Sequence, residues 1–588
     1  MSSISKSPRK VRFGIMCYGT TFSRWQAETI QALLESPYVE PALLIVDVTH
    51  LRAAENVCCG VLPKLTLRER ILRLLSEKPF MWRARRKIRE RLVMLKTQLK
   101  SKWLWSFYWR VRAVRGKPYT DQKIDLSESL EHVRRIECSA QTRGKFSQYF
   151  SDQDVAAIKG HELDFIIRFA YNIIRGDILS VATNGVWSFH HDDPLKYRGS
   201  PPGFWEIYYG DKQSGSILQS LSDILDDGSV MIKDEFPTQM DSYLKNRSQL
   251  WLGTVEWPAI AARALVFGAD KNSLYLNEPR SQAHIFKAPS NHEMAYFLMK
   301  TTYFRLRECL LSKASKKSED VWAIGLLRQP VGETLRRPMY GSVEWIESPE
   351  GRWFADPFVF EFKGKACVFF EDYHTSQKRG NISYLPCDDL TAKPKRVLGE
   401  DGLHYSYPYM FSYQGEVYML PEVFESGQTR LYRASAYPDK WVLDRVLFDD
   451  LASVDPIIYQ QGNLWWLWIG DGNEAQSEVR IFTAVLPFGP WKEHPSSPLC
   501  LPFRARNAGN LIQCGKRLFR PTQDSYGGYG KRIVLREVTQ MTLDTYEEID
   551  VCYLRSFHHW PYPDGMHTIA HSGNLTVIDG KRNIDTSG

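Results

Sequence analysis

The sequence of 588 residues is poor in several features that would have placed it quickly. It holds no unbroken apolar run of about 18 residues, so no membrane-spanning helix is expected. Its ten cysteines include no Cys-x-x-Cys pair, and the adjacent Cys58 and Cys59 do not make a metal knuckle. Reduced, buried thiols, a cytoplasmic location and no bound metal are therefore expected. The stretch Met1–Lys10 is polar and lacks the apolar centre of a secretory leader. The turn after the first apolar run, Gly14-Ile-Met-Cys-Tyr-Gly-Thr, is not a Gly-x-Gly-x-x-Gly dinucleotide fingerprint. Nothing in the chain resembles a module that reads RNA or DNA, so no nucleic-acid partner is expected.

What the chain does have is an uneven charge. The net +8 conceals a segment, residues 61–119, with 18 Lys plus Arg against 3 Glu, so the remainder is net acidic by 8 − 15 = −7. Within that segment Ile88, Leu92, Leu95, Leu99 and Trp103 recur at helical spacing, opposite Arg85, Arg86, Lys87, Arg89, Lys96 and Lys100. Such a helix either packs on a core with a solvated basic face or lies peripherally, through residues 67–110, on an anionic membrane such as the inner face of the cell membrane.

Around that insertion the pattern is α/β. Residues 10–21 read as a strand and turn, 22–36 as a helix, and 41–47 as a second buried strand, which is the opening of a parallel sheet. The pattern resumes with strands over 163–169, 185–189 and 216–221, and a helix over 291–311 precedes a polar linker at 313–320. The last third is all-β. Trp353-Phe-Ala-Asp-Pro, Tyr405-Ser-Tyr-Pro and Ser453-Val-Asp-Pro repeat one phrase, which weakens at Arg506-Asn-Ala-Gly and at Met566-His. The turn glycines that follow, Gly364, Gly415, Gly462 and Gly515, stand 51, 47 and 53 residues apart. One four-stranded blade per repeat predicts a five-bladed β-propeller.

The chemistry concentrates in Trp187-Ser-Phe-His-His-Asp-Asp-Pro-Leu-Lys-Tyr-Arg-Gly199. Ser188 and His190 share one face of a strand that ends at the histidine. A histidine, a small donor and a nearby carboxylate such as Asp226 suit acyl transfer, in which negative charge gathers on an oxygen. Four adjacent groups from His190 to Asp193 do not converge on one ion, so they are poor metal ligands.

The order of these elements resembles the folate-dependent formyltransferase family. Eight residues separate His190 from Arg198-Gly199, Gly210-Asp211 and Ser214-Gly215 follow, and Leu225-Asp226-Asp227-Gly228 closes the series. The resemblance implies a catalytic set of Ser188, His190 and Asp226, with Ser188 standing where the family usually has Asn. It implies 10-formyltetrahydrofolate as cofactor, held by Arg168, Phe169, Ala170, Tyr171, Asp223 and Leu225, with an acceptor near His191, Tyr197, Arg198 and Gly199. Residues 10–235 would form a Rossmann-like formyltransferase domain, 61–139 its basic helical insertion, 236–320 a mixed helical connector and 321–588 the propeller.

The repeats resemble glycosidase-type propellers and, more nearly, the propeller domain of glucosamine inositolphosphorylceramide transferases. That resemblance implies a central funnel at which Asp356, Glu422, Asp455, Arg506 and His567 meet. Together the resemblances imply an N-formyltransferase acting on a nucleotide- or lipid-linked amino sugar. The alternative is a glycan-binding or glycan-processing protein whose formyltransferase-like domain is inactive.

Overall fold

The structure is a computed structural model that describes residues 9–49, 102–114, 118–144, 146–223, 228–279, 281–311, 318–472, 475–526 and 528–585. Of the basic helical stretch expected over residues 67–110, only the part from 102 onward lies within these, and Leu225 and Asp226 lie outside them.

Seven strands build the first sheet: β1 (Val11–Cys17), β2 (Val39–Asp47), β3 (Arg134–Cys138), β4 (Phe165–Arg168), β5 (Val186–His190), β6 (Gln213–Ser220) and β7 (Ser229–Pro237), ordered 7-6-5-4-1-2-3. The five from β3 to β5 run parallel, while β6 and β7 are antiparallel additions. The inner parallel strands are apolar because helices and loops cover both faces, and β4 reads Phe-Ile-Ile-Arg with only its arginine part-exposed, whereas the edge strand β3 is largely polar. The chain leaves β1 for one side of the sheet and returns at β4 on the other. Ligands bind beyond the carboxyl ends of the strands at such a reversal.

The range 61–139 expected for the helical insertion is too long. Residues 134–138 are β3, paired in parallel with β2, so the chain has rejoined the main sheet by then. The described part of that range does contain a helix, α2 (Trp103–Val114). The other helices used below are α1 (Arg24–Leu34), α3 (Trp257–Val266) and α4 (Asn291–Leu311).

The all-β part consists of five antiparallel sheets, four of four strands and one of five. Three of them begin with the repeated phrase, and each carries the same irregularity. The register slips between Ala355 and Phe358, between Ser406 and Tyr409, and between Val454 and Ile457. The residue before each proline, Asp356, Tyr407 and Asp455, has φ of 49°, 47° and 45°. A proline cannot donate to the ladder, so a bulge absorbs it and turns the preceding side chain out of the sheet. Of the other two sheets, one is built on Arg517–Asp524 and Arg532–Met541, and the other pairs Ser318–Leu327 with residues 576–585, joining the two ends of the all-β part.

Both parts share one core. Trp257, Ile260 and Ala264 of α3 pack in one cluster with Ile512, Phe519, Ile533 and Val551. Polar ties reinforce it: Glu256 accepts from Arg532 and Arg555 at 2.9 Å each, and Asp234 accepts the backbone N–H groups of His558 and His559 at 2.8 Å.

Candidate functional site

The carboxyl ends of β4 and β5 open into a cleft of about 310 Å³. It is lined by Arg168, Ser188, Phe189 and His190 from those strands, by Asn172 to Arg175, by Gln219, Leu221 and Ser222, and by Phe146 and Gly228. Of the expected catalytic set, Ser188 and His190 therefore share one cavity. Asp226 lies outside the described residues; Ser222 and Gly228, which bracket it in the sequence, both line the cleft.

Ser188 is almost wholly buried, and its Oγ accepts from Arg168 Nε at 3.2 Å and Nη2 at 3.0 Å. Arg168 also donates to the carbonyls of Tyr171 (3.2 Å) and Asn172 (2.6 Å). Burial lowers the guanidinium's pKa from its ordinary value. A hydroxyl is too short to do what a carboxamide does at that strand position, and the arginine fills the space behind it. A carboxamide does stand nearby. Gln219 on β6 is the register partner of Ser188, is buried, and lines the same cleft. Cross-strand partners carry Cβ atoms only about 5 Å apart. The alternation over residues 216–221 marks the strand in the sequence, but only the pairing in the structure sets Gln219 opposite Ser188.

Other expected cofactor residues serve the walls. Phe169 packs edge-on to Phe22 and Trp25, Ala170 is buried, and Tyr171 donates to the Cys138 carbonyl at 3.4 Å. Asp223 accepts from the Gly176 N–H at 2.8 Å. The expected acceptor residues lie elsewhere. His191 sits among Trp25, Phe189 and Trp251, neither ring nitrogen has a hydrogen-bond partner, and burial with help from His190 pushes its pKa down to about 3. It is a neutral core residue, one position beyond the end of β5 and enclosed by aromatic rings. Tyr197 donates to Asp211 at 2.7 Å within a cluster of aromatic rings. Arg198 and Gly199 pair with Ile285 and Phe286 as a short parallel strand. A Cβ on Gly199, whose φ is 103°, would lie 2.2 Å from the Phe286 carbonyl oxygen, so backbone approach accounts for the glycine of the Arg-Gly pair.

In the all-β part the five expected funnel residues form two neighbouring groups. Arg506 clamps Asp455 through Nε at 2.6 Å and Nη2 at 3.1 Å, and lies 3.7 Å from Glu422. The Asp455 N–H donates to Glu422 at 3.0 Å. His567 lies 3.7 Å from Asp356 through Nε2 and 2.5 Å from Asp579 through Nδ1. Burial and then Asp455 push the Glu422 pKa up to about 8, and burial raises Asp356 to about 6. Asp579 was not foreseen; it lies in the closing strand, and its Oδ1 accepts from the N–H groups of His567 and Thr568. Trp322 stacks on His567 at 4.1 Å and Tyr529 meets its edge at 5.3 Å. The ligating atoms of Asp356, His567 and Asp579 lie within 4.8 Å of one another, so these three could hold a cation. As they stand they form a carboxylate–imidazole–carboxylate chain.

Residues 342–559 match the family model described as glucosamine inositolphosphorylceramide transferase 1, N-terminal. The protein of that name from Oryza sativa subsp. japonica is 31% identical over 285 residues, 44% of this chain and 38% of the relative. The methionyl-tRNA formyltransferase of Clostridium tetani (strain Massachusetts / E88) is 39% identical over 74 residues, 12% of this chain and 24% of the relative. The chain resembles both families. It spans well under half the length of these curated relatives. Among solved structures, the catalytic domain of a Coprinopsis cinerea GH62 alpha-L-arabinofuranosidase is similar at 15% identity and a TM-score of 0.31, over 41% of this chain and 87% of that one. Among the described residues no helix is long and apolar enough to cross a membrane.

Proposed function

We propose that the α/β part is an N-formyltransferase that moves a formyl group to an amino group of a nucleotide- or lipid-linked sugar. The observation that carries this reading is the meeting of His190, Ser188 with its Arg168 partner, and Gln219 in one cleft at the strand ends. The likeness to a methionyl-tRNA formyltransferase supports the reaction class.

The cleft suits 10-formyltetrahydrofolate. Its volume is adequate for a flat heterocycle, Phe146, Ile173 and Leu221 offer apolar walls, and Asn172 and Ser222 offer polar contacts. When bound, that cofactor supplies an electrophilic formyl carbon. His190 and Gln219 donate hydrogen bonds where negative charge gathers on the formyl oxygen, and the buried Arg168 cation raises the local potential. Asp226 accepts the proton that the attacking amine loses. Donors fixed in a water-poor site need little reorganisation, which is why a few of them suffice.

The five sheets act as the blades of a five-bladed propeller, and this part binds the glycan portion of the acceptor. The second reading, glycan processing by the propeller itself, is favoured by the convergence of Asp356, Glu422, Asp455, Arg506 and His567. The formyl chemistry belongs to the α/β part, whose last strand β7 runs to Pro237, past the expected boundary at 235, and the propeller begins with the strand Ser318–Leu327, before the expected boundary at 321. A reduced folate as donor favours the cytoplasm.

Calorimetric titration of the full chain with 5-formyltetrahydrofolate tests the first reading. Saturable binding is expected, and His190→Ala should abolish formyl transfer while leaving the melting temperature unchanged. Absence of binding to any reduced folate would remove the proposal. Activity lost in Asp356→Asn and retained in His190→Ala would favour the second reading.

A further inference from the structure

Two helices on the edge of the α/β part rest on one aromatic ring. Trp105 of α2 meets Phe204 edge-on at 5.6 Å, and Phe297 of α4 stacks on the same ring at 4.2 Å. The α2 amide of Leu104 donates to the Asn291 side chain at the start of α4 at 2.9 Å, so the helices begin together. Each buries one face in this cluster and turns the other to solvent.

Those outward faces are apolar. On α2 they carry Trp103 (54% exposed), Phe107 (55%) and Val111, spaced by four residues. On α4 they carry Tyr296, Met299 (63%), Tyr303 (63%) and Leu306 (62%), spaced by three and four. Both stripes are rows along a single helix face. Scattered exposed apolar side chains are ordinary, but a regular row on each of two helices that share one buried cluster is the kind of feature that marks an interaction site.

The charges around the patch indicate what covers it. The exposed Arg110 borders the α2 row and the exposed Arg307 the α4 row, while Lys300 beside them donates to the Tyr208 carbonyl at 2.9 Å. The described α2 holds no acidic residue, and Lys102 directly precedes it. Trp and Tyr with Met and Leu, edged by Lys and Arg, match the interfacial zone of a bilayer rather than an aqueous protein surface. The same sequence region, residues 61–119, carries the excess of 15 positive charges noted above.

We propose that the α2–α4 face seats the protein on an anionic lipid bilayer, with the aromatic and aliphatic rows entering the headgroup boundary and the bordering cations meeting acidic headgroups. This inference does not depend on the formyl-transfer reading. It would hold the α/β cleft near an acceptor carried on a lipid.

Flotation of the full chain with phosphatidylcholine vesicles, with and without phosphatidylserine, tests it. Binding is expected to the phosphatidylserine vesicles and to weaken as salt rises, because exposed charges are screened. The triple variant Met299→Ser/Tyr303→Ser/Leu306→Ser should lower vesicle affinity at least about tenfold, since it removes the apolar contribution without touching the basic insertion. Its circular dichroism should match the wild type, as all three side chains face solvent. Unchanged affinity of this variant would overturn the proposal, because charge on the insertion alone would then explain binding. Absence of vesicle binding would also overturn it. So would a concentration-dependent dimer that the same variant dissolves, which would make the face an interface between two copies of the chain.

Discussion

Ser188 and Gln219 stand directly opposite one another in the antiparallel pairing of β5 with β6, and both line the same cleft. A carboxamide is thus present beside the histidine, one strand away from the Ser188 position. If it supplies the donor, Gln219→Leu should lower kcat for formyl transfer about 10²-fold, the usual cost of removing one such donor. The folate dissociation constant should change little, because the interaction matters when charge develops on the formyl oxygen rather than on binding. An unchanged kcat in Gln219→Leu, measured on the acceptor that the wild type uses, would assign that role to Arg168 instead. Ser188→Ala should cost less, since it removes an acceptor for Arg168 and a long hydrogen bond to the Phe189 carbonyl at 3.4 Å, neither of them aimed at the formyl oxygen.

The chain Asp356–His567–Asp579 has a pH signature. Burial alone would disfavour the imidazolium, but Asp579 and then Asp356 outweigh it and raise the His567 pKa above its ordinary 6.5. A histidine raised in the folded state stabilises the fold fully below 6.5 and loses that contribution as pH rises through the folded value. Asp579→Asn should therefore lower the titration midpoint of the His567 ring protons by NMR and reduce the difference in melting temperature between pH 6 and pH 8, a window that spans about 6.5. A midpoint that does not move would mean that Asp579 is not the group sustaining the charge.

These relationships were unequally legible in the sequence. The parallel strands were readable because strands buried on both faces are written as unbroken apolar runs, as in Phe165-Ile-Ile. The Asp-Pro repeat was readable because proline at a bulge leaves a mark that side-chain swaps elsewhere do not erase. Strand β3, Arg134-Arg-Ile-Glu-Cys, was not, since an edge strand with one wet face looks like polar loop text. His191 misled because the aromatic box formed by Trp25 and Trp251 comes from distant segments. Gln219 and Asp579 owe their positions to strand pairing over long separations, Ser188 with Gln219 and Ser318–Leu327 with the closing strand. One sequence does not disclose such partners.

Stability of the all-β part should turn on Glu548. Its side chain is only 3% exposed and is bound by Arg520 Nε at 2.9 Å, by Arg536 Nε at 2.7 Å and by the Tyr546 hydroxyl at 2.9 Å. Burial by itself would raise its pKa, but the two guanidinium groups overcome this and hold it at about 2. A carboxylate depressed in the folded state contributes stability above its unfolded value of 4.5, and that contribution drains away as pH falls from there towards 2. Glu548→Gln should cost about 3–5 kcal/mol at neutral pH, because it strands two buried guanidinium groups without their shared partner. Urea denaturation followed by tryptophan fluorescence at pH 7 measures the loss directly. The gap between variant and wild type should narrow as pH is lowered below 4.5, where the wild-type carboxylate loses its advantage over a neutral side chain. A gap independent of pH would mean that the penalty is one of packing, with Glu548 contributing shape rather than charge.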